Sequence, residues 1–315
     1  MAFYVAQRLA LSVVIVAAAL ALLFGMIHLV PGDPASIALG PRATPQMVEE
    51  LRQRMGLDRP LPMQFLLFFG NALGGDLGRD VFTNQKVLDL VLGELPSTLA
   101  LAAAALGWAI AVGVPLGCLS AMRPNSWIDR VAGVLSVSVI AIPSFVVALY
   151  SLLVFAVWLR WFPALGIARS GTLGEQLWYL VLPAFAVGLG WVGYLARLVR
   201  ASMLEVLGEN HIRTARAFGL SERRIVYRYA LKLAILPTVS LLGVGVGRLV
   251  SGAVFAEIVF TRPGVGRLVY DGVISRNYPL VMGAVLVTTV LFVLCTLIAD
   301  LVAAALDPRV REQLS

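Results

Sequence analysis

Charged side chains next to or inside long apolar stretches are the residues of this sequence best suited to chemistry. Arg248 lies within the apolar stretch 233–256, Glu257 follows it directly, and Asp300 closes the stretch 279–299. A charge in hydrocarbon is costly unless it pairs or faces water, so such residues often mark the path of a solute or ion. Glu257 and Asp300 also fit a role as anchors at helix ends. We predict Arg248 and Glu257 as candidates for a translocation path.

Three prolines interrupt apolar stretches, at Pro115, Pro143 and Pro183. Proline removes a helical hydrogen bond and can kink or break a membrane helix beside a pathway, although membrane helices also tolerate it for ordinary reasons. Of the three, Pro143 followed by Ser144 is the strongest candidate. Pro143 and Ser144 therefore join the predicted path.

Nucleotide-binding motifs give little support for an enzyme. Gly188-Leu189-Gly190-Trp191-Val192-Gly193 matches a dinucleotide fingerprint, but it lies in an apolar stretch with no preceding strand, so close helix packing is the favoured interpretation. A phosphate-binding loop needs Gly-Lys followed by Ser or Thr, whereas the only lysines, Lys86 and Lys232, follow Gln and Leu. No cofactor site is predicted in this chain.

Metal and nucleophile motifs are also missing from the sequence. His28 and His211 have no ligand companions nearby, and Cys118 and Cys295 lie far apart in apolar stretches. Neither His-Glu-x-x-His nor Gly-x-Ser-x-Gly occurs, which disfavours an intramembrane hydrolase. We predict no catalytic residue and no metal site.

The elements that position these residues are membrane helices. Apolar residues make up 59% of the chain and charged residues 14%, and the mean hydropathy is +0.88, a composition far from that of soluble domains. The net charge of +7 comes almost entirely from arginines between apolar runs, which fits interfacial anchors better than nucleic-acid binding. Six stretches are long enough, or nearly so, to cross about 30 Å of hydrocarbon. They are residues 9–30, 99–122, 131–159, 176–196, 233–256 and 279–299. The first exceeds the apolar core of a signal peptide, so we expect it to remain as a helix.

Arginine placement predicts the orientation. Residues 197–232, here called the basic loop, carry many more basic than acidic side chains, which favours the cytoplasmic side. With six spans, both termini are then cytoplasmic and the segment 31–98 is extracytoplasmic. Within that segment Thr44 can cap a helix that starts at Pro45 and that Gly56 stops, so a structured cap is expected.

The basic loop itself predicts a helix, a glycine corner and a second helix. Glu209 or Asn210 can start the first helix and Gly219 can end it, and the second runs from Ser221 through Tyr227. The apolar side of the first helix would carry Ile212, Ala215 and Phe218. The pattern fits both a helix lying on anionic headgroups and an element that transmits force.

The segment His-Ile-Arg-Thr-Ala-Arg-Ala-Phe-Gly-Leu-Ser-Glu at 211–222, followed by Leu236-Pro237, resembles the coupling loop of permeases of binding-protein-dependent ABC importers. Further segments resemble the dipeptide, oligopeptide and nickel branch, and most closely the first permease of its pair. They include Pro31-Gly32-Asp33-Pro34, Gly75-Asp76-Leu77-Gly78, Ile142-Pro143-Ser144-Phe145, Arg262-Pro263-Gly264-Val265-Gly266-Arg267 and Leu306-Asp307-Pro308-Arg309. The general signature begins Glu-Ala-Ala where this chain has Arg213-Thr214-Ala215.

The resemblance implies an all-α type I importer permease of the bacterial inner membrane. Expected partners are a homologous second permease, two subunits that bind ATP and Mg²⁺, an extracytoplasmic solute-binding protein and the bilayer. It also implies that Arg213, Thr214, Ala215, Arg216, Phe218 and Gly219 lie in or beside the ATPase groove. The predicted organisation is residues 1–98 with the first span and cap, 99–306 with five helices and the basic loop, and 307–315 as a cytoplasmic tail.

The cargo stays open at this point. Branch membership favours peptides, while nickel, glutathione or another small solute fits the same class of importer. A secondary transporter driven by an ion gradient is the rival from another class, but no paired repeats or carboxylate relay support it.

Overall fold

The computed structural model describes residues 2–29, 33–39, 43–54, 56–167 and 171–306. These residues are helical and contain no strand, only an isolated antiparallel bridge between Arg79 and Lys86. Pro31, Gly32 and the tail 307–315 lie outside the described residues, as do the side chains of His28, Arg248 and Asp300.

Helices account for most of the chain, and we number them in order. They are α1 (Ala2–Leu29), α2 (Pro34–Leu39), α3 (Pro45–Arg54), α4 (Leu61–Leu73), α5 (Val87–Met122), α6 (Trp127–Ala141), α7 (Ser144–Ser151), α8 (Leu173–Leu207), α9 (Asn210–Ala217), α10 (Glu222–Arg224), α11 (Leu231–Ala234), α12 (Leu236–Val259), α13 (Val265–Ile274) and α14 (Tyr278–Leu306). Wider π-helical turns, Leu152–Trp158 and Ile225–Ala230, extend α7 and join α10 to α11.

Three described helices are long and apolar enough to cross a membrane: α5, α8 and the part Tyr278–Ile298 of α14. The predicted span 131–159 is two helices, because α6 and α7 with its π-helical extension meet at a bend of 99°. The bend confirms that Pro143 breaks its span. If the bent pair is one crossing, the described residues hold up to four.

The two remaining predicted spans fall on α1 and α12. Their described apolar stretches, Ala10–Met26 and Leu249–Val259, are shorter than a full crossing. Six crossings therefore stay a prediction.

The described helices belong to two compact units. The first comprises residues 1–98 and 263–293, and the second residues 99–262 and 294–315. The predicted three-part division, which follows the order of the chain, stays a prediction.

In the first unit, the predicted helix of the cap segment is confirmed as α3. The Met47 N–H donates to Thr44 Oγ1 at 3.3 Å, Pro45 is the first helical residue, and Gly56 has a φ of +68°. A further helix, α4, follows α3 in the same segment.

The buried carboxylate of Asp80 links the segment 31–98 to Asn277, the residue before α14. Asp80 accepts hydrogen bonds from the backbone of Phe82 and Thr83, from Thr83 Oγ1, and from the Asn277 side-chain amide at 2.5 Å. With both oxygens bonded, the carboxylate can be buried at low cost. The side-chain core of the unit lies nearby and consists of Leu77, Val87, Val91, Val265, Leu280 and Ala284.

In the second unit, small residues on α8 allow neighbouring helices to approach closely. A Cβ at Gly193 would lie 2.6 Å from the carbonyl oxygen of Ser136 on α6, and one at Gly117 on α5 would lie 2.6 Å from that of Ala196. Backbones this close tolerate only glycine. The Gly-rich segment 188–193 is thus mid-helix packing, as predicted, and α8 is the central element against which α5 and α6 pack.

Candidate functional site

The first candidate element is α9 in the basic loop. It begins at Asn210, as predicted, and its inner side carries Ile212 and Ala215, which are 0% and 8% exposed. Both pack in an apolar cluster with residues of α8, such as Met203, and of the segment that follows, such as Ile225. The inner side of α9 is thus packed directly against α8.

A glycine corner ends α9. The Leu220 N–H donates to the Ala215 carbonyl at 3.3 Å, and the Gly219 N–H donates to the Arg216 carbonyl at 2.9 Å. This pair of bonds, with Gly219 at a φ of +75°, is a Schellman cap, in which the residue after the helix adopts the left-handed conformation. The predicted role of Gly219 as the end of the helix is confirmed.

The outer side of α9 is solvent-exposed. Arg213, Thr214 and Arg216 are exposed, and Phe218 is 82% exposed. The prediction that Phe218 shares the apolar side with Ile212 and Ala215 is wrong, since Phe218 is the C-cap residue and the chain leaves the helix there. A phenylalanine exposed to this degree next to arginines is typical of an interface anchor.

An ion pair closes the corner. Arg216 Nε and Nη2 donate to the two carboxylate oxygens of Glu222 at 2.7 and 3.3 Å. Hydrogen bonding to Arg216 lowers the pKa of Glu222, and the same bond raises the pKa of Arg216. The pair therefore joins α9 to α10 across Gly219 at neutral pH.

The second predicted helix is more irregular than expected. α10 is one turn long, the π-helical segment Ile225–Ala230 follows, and α11 leads into α12. Ile225 and Val226 are buried beside α9 and α8. The wider turns place two consecutive apolar residues in the core, which a regular amphipathic pattern does not indicate.

The second candidate element is a cavity of about 380 Å³, here called the bend cavity, beside the break between α6 and α7. It falls in the size range of small-molecule pockets. The residues that line it come from α6, α7, α8, α12 and the break itself: Ile140, Ile142, Pro143, Ser144, Val147, Ala186, Val187, Gly190, Trp191, Tyr194, Leu241, Gly245, Leu249 and Gly252. Pro143 and Ser144, predicted for the path, are both among them.

Uncharged polar groups give this cavity its chemistry. The side chains of Ser144, Trp191 and Tyr194 supply hydroxyl and indole groups on an otherwise aliphatic wall, and none of the lining residues is a carboxylate, an imidazole or a thiol. Glycines make the room: a Cβ at Gly245 would lie 2.6 Å from the Trp191 ring. Such a wall can contact a solute by shape and hydrogen bonds without a fixed charge.

Glu257 lies elsewhere. It is fully buried near the end of α12, its carbonyl accepts from the Arg262 N–H at 2.8 Å, and it is not among the cavity-lining residues. Burial lowers the pKa of Arg262, and the charge of Glu257 opposes that shift. The position near the end of α12 fits the alternative role of a helix-end anchor, and the role of Glu257 in a translocation path stays a prediction. The side chain of Arg248 lies outside the described residues.

A partly buried ion pair between α6 and α8 was not predicted. Arg200 donates from Nε to Asp129 Oδ1 at 2.5 Å and from Nη2 to Oδ2 at 2.7 Å. Ser120 Oγ and the Asn125 N–H donate to the same carboxylate, at 2.5 and 2.9 Å. Each of the two residues on its own resembles an arginine or aspartate at a loop, and only the fold brings them together.

Residues 113–312 match the family described as "Binding-protein-dependent transport system inner membrane component". Residues 1–102 match its N-terminal companion, "Binding-prot-dependent transport system membrane comp, N-term". The chain belongs to this family. It is thus a permease of a binding-protein-dependent ABC importer, as the sequence motifs predicted.

Two relatives show which members of the family this permease resembles. It is 36% identical over 313 residues, 99% of this chain and 100% of the relative, to the "Probable peptide ABC transporter permease protein y4tP" of Sinorhizobium fredii. It is 36% identical over 291 residues, 92% of each chain, to the "Glutathione transport system permease protein GsiC" of Escherichia coli. These similarities cover nearly the whole permease.

Solved structures support the fold. The permease matches a chain of the MetNI methionine ABC transporter in an inward-facing conformation, with a TM-score of 0.58 and 20% identity over 69% of this chain and 96% of that one. At this identity the likeness concerns the fold, which is the type I importer permease fold.

Sequence reasoning missed Trp191, Tyr194 and Gly245 of the cavity, and the pair Asp129 and Arg200. Trp191 and Tyr194 are three residues apart in an apolar helix, a spacing that places them on one face and is the signal that was available. The permease motifs pointed to the basic loop more strongly than to the cavity. The glycine corner of the loop is formed by consecutive residues, whereas the cavity is lined by residues from four helices.

Proposed function

We propose that this permease forms half of the translocation path of an importer of di- and oligopeptides, and that α9 docks in a groove of an ATPase subunit. The observation that carries the proposal is the two-sided character of α9. Ile212 and Ala215 are buried against the permease, while Phe218 and the arginine side are left exposed. An element built this way can pass a displacement of a partner to α8.

The mechanism that we infer is alternating access. The chain supplies no phosphate-binding loop, so ATP and Mg²⁺ are bound by two partner subunits, whose closure moves the coupling helices and switches the permease between inward-facing and outward-facing states. The coupling residues are Arg213, Thr214, Ala215, Arg216, Phe218 and Gly219. In this mechanism Phe218 is the apolar anchor and Gly219 sets the corner behind it.

The proposed assembly is a heterodimer with a homologous second permease in the bacterial inner membrane, served by an extracytoplasmic solute-binding protein. We infer six crossings with both termini in the cytoplasm. The arginine excess of the basic loop supports this orientation, and the segment 31–98 then faces the binding protein.

Peptides are the proposed cargo for two reasons. The similar permeases named above serve peptide and glutathione transport, and glutathione is itself a small peptide. The bend cavity also offers hydroxyl and indole groups that suit amide hydrogen bonds, whereas a bare nickel ion would find no ligand of its preferred type among the lining residues. We therefore place peptides first, glutathione second and nickel complexes third.

Reconstitution tests the proposal. The permease is co-expressed with a second permease, ATPase subunits and a binding protein, which are sought among its neighbouring genes, and the complex is purified and placed in liposomes. Uptake of labelled dipeptide, tripeptide, glutathione and nickel is then followed with and without ATP. Uptake that runs on a proton or sodium gradient without ATP would refute the proposal in favour of the secondary transporter.

The coupling role has its own variant. Phe218→Ala removes a side chain that is 82% exposed, so the fold should be unaffected while ATPase binding and uptake fall. Phe82→Ala truncates a 55% exposed phenylalanine in the segment proposed to lie on the other side of the membrane, and it is the matched control for ATPase binding. Deletion of residues 213–219 should abolish uptake, and wild-type uptake by either the deletion or Phe218→Ala would overturn the assignment.

A further inference from the structure

The buried Asp129 carboxylate is bonded on all sides. Arg200 binds it through two parallel N–H bonds, the Ser120 hydroxyl donates to Oδ1 and the Asn125 backbone N–H donates to Oδ2. Asp129 is 5% exposed, whereas the Arg200 side chain is 33% exposed. Two parallel bonds from a planar guanidinium fix the orientation of the two side chains as well as their distance.

The pair joins three elements of the second unit. Ser120 lies in the last turn of α5, Asp129 in the first turn of α6, and Arg200 in the C-terminal part of α8. At about 1.5 Å per residue, Arg200 lies about 9 Å along α8 from Tyr194 of the bend cavity and about 10 Å from the end of α8 at Leu207. It therefore lies between the cavity and α9.

A second attachment holds the same two helices further along. Gly193 of α8 lies so close to Ser136 of α6 that a Cβ there would be 2.6 Å from the Ser136 carbonyl. Two attachments prevent one helix from sliding or turning on the other, whereas a single close contact leaves a pivot. The α6 helix ends at the bend, where Ile140 and Ile142 line the cavity.

We propose that Asp129 and Arg200 form a clasp that makes α6 move together with α8, so that a displacement of α9 reaches the bend at Pro143 as well as the α8 wall of the cavity. The inference rests on the proposed coupling role of α9. Asp129 and Arg200 are positioning residues, since neither lines the bend cavity.

The first test is the number of solute molecules imported per ATP hydrolysed by the reconstituted importer. Asp129→Asn keeps the size and removes the charge, and Arg200→Lys keeps the charge but loses the second parallel bond. Since Arg200 is partly exposed, water can solvate it in Asp129→Asn, and the complex should still assemble and hydrolyse ATP. We expect the import-to-ATP ratio to fall about tenfold in either variant.

The double variant Asp129→Asn, Arg200→Gln separates a clasp from two independent roles. Arg200→Gln measured alone completes the cycle. The double variant leaves no unpaired charge, and its import-to-ATP ratio should be no lower than that of the worse of the single variants Asp129→Asn and Arg200→Gln. If the two residues had independent roles, the ratio of the double variant would fall by the product of the two single effects. That result would overturn the clasp. Asp271→Asn, which breaks the exposed pair with Arg267 in the first unit, is the control and should leave the ratio unchanged.

The second test measures motion directly. Spin labels at Val134 of α6 and Arg197 of α8, both exposed, report the distance between the helices in a background without Cys118 and Cys295. In the otherwise unchanged complex, the label distance should be narrowly distributed and the same without nucleotide and in the ATP-trapped state. Asp129→Asn should broaden that distribution. An unchanged distribution in Asp129→Asn would refute the clasp. If the complex shows no ATP-driven uptake at all, the proposed function fails, while the broadening without nucleotide still tests the clasp.

Discussion

The glycine corner after α9 gives a prediction whose magnitude follows from the backbone alone. Gly219 has a φ of +75°, and a Cβ added there would meet no atom within 4 Å. The cost of Gly219→Ala is therefore conformational and not steric. A left-handed conformation costs an L-residue roughly 1–2 kcal/mol, so the closed corner should lose a factor of about 5–30 in population relative to the open one.

Hydrogen–deuterium exchange of the assembled importer measures that factor. The amides of Gly219 and Leu220 are held by bonds to the Arg216 and Ala215 carbonyls, at 2.9 and 3.3 Å. In Gly219→Ala, a peptide covering residues 213–222 should exchange about 5–30 times faster. Gly219→Asn should fall between wild type and Ala, because asparagine tolerates the left-handed conformation better than alanine.

The control is Gly133→Ala on α6, where φ is not positive and a Cβ also meets nothing within 4 Å. That change should leave exchange in the basic loop unaltered and can stabilise its helix. Equal protection in Gly219→Ala and wild type would refute the argument that the left-handed corner holds the end of α9. Uptake per ATP should fall in the order wild type, Asn, Ala.

Three further predictions follow from the second unit. A double-mutant cycle of Arg216→Gln and Glu222→Gln should give about 0.2–1 kcal/mol of coupling by thermal unfolding at pH 7, as for exposed ion pairs. Because pairing lowers the pKa of Glu222, that coupling is present above the usual carboxylate range and should vanish as the pH falls through the lowered pKa. Gly245→Ala should push the Trp191 ring into the bend cavity, which a shift of tryptophan fluorescence and a raised KM for peptide would show. Gly193→Ala should separate α6 from α8 at a cost of about 1–3 kcal/mol, measured as a lower melting temperature.

Substitutions at matched glycines are the controls for Gly245→Ala and Gly193→Ala. Gly252 also lines the bend cavity, but a Cβ there would lie 3.9 Å from its nearest neighbour, so Gly252→Ala should leave the indole and the KM nearly unchanged. Gly133→Ala serves again for Gly193→Ala. If Gly252→Ala and Gly245→Ala raise the KM equally, displacement of the Trp191 ring is not the cause.

Local signals were enough for much of the fold. Thr44, Pro45 and Gly56 gave the ends of α3, and Gly219 gave the end of α9, because caps and corners depend on residues within one turn. The long apolar helices α5, α8 and α14 were also predictable, because each contains a continuous stretch of high hydropathy.

Long-range geometry was not available from one sequence. Asp129 and Arg200 are far apart along the chain, and near helix ends each looks like an ordinary interfacial charge. The exposure of Phe218 was missed because it continues the apolar spacing of Ile212 and Ala215, yet α9 stops one residue before it. Helical periodicity predicts a buried position only while the helix lasts.

The bend explains why proline was a better guide to the cavity than charge. Pro143 has no N–H to donate to the carbonyl of the preceding turn, and Ile142 before it is extended, at φ −85° and ψ 122°. The chain then restarts a helix, with the Val146 and Val147 amides bonded to the Pro143 carbonyl. The turn of 99° takes α7 away from the axis of α6, beside the glycine-bearing faces of α8 and α12. Hydropathy is equally apolar on both sides of Pro143 and so counts one span. Glu257, selected because a charge in hydrocarbon is costly, is buried near the end of α12 and does not line this cavity, and its part in a translocation path stays a prediction.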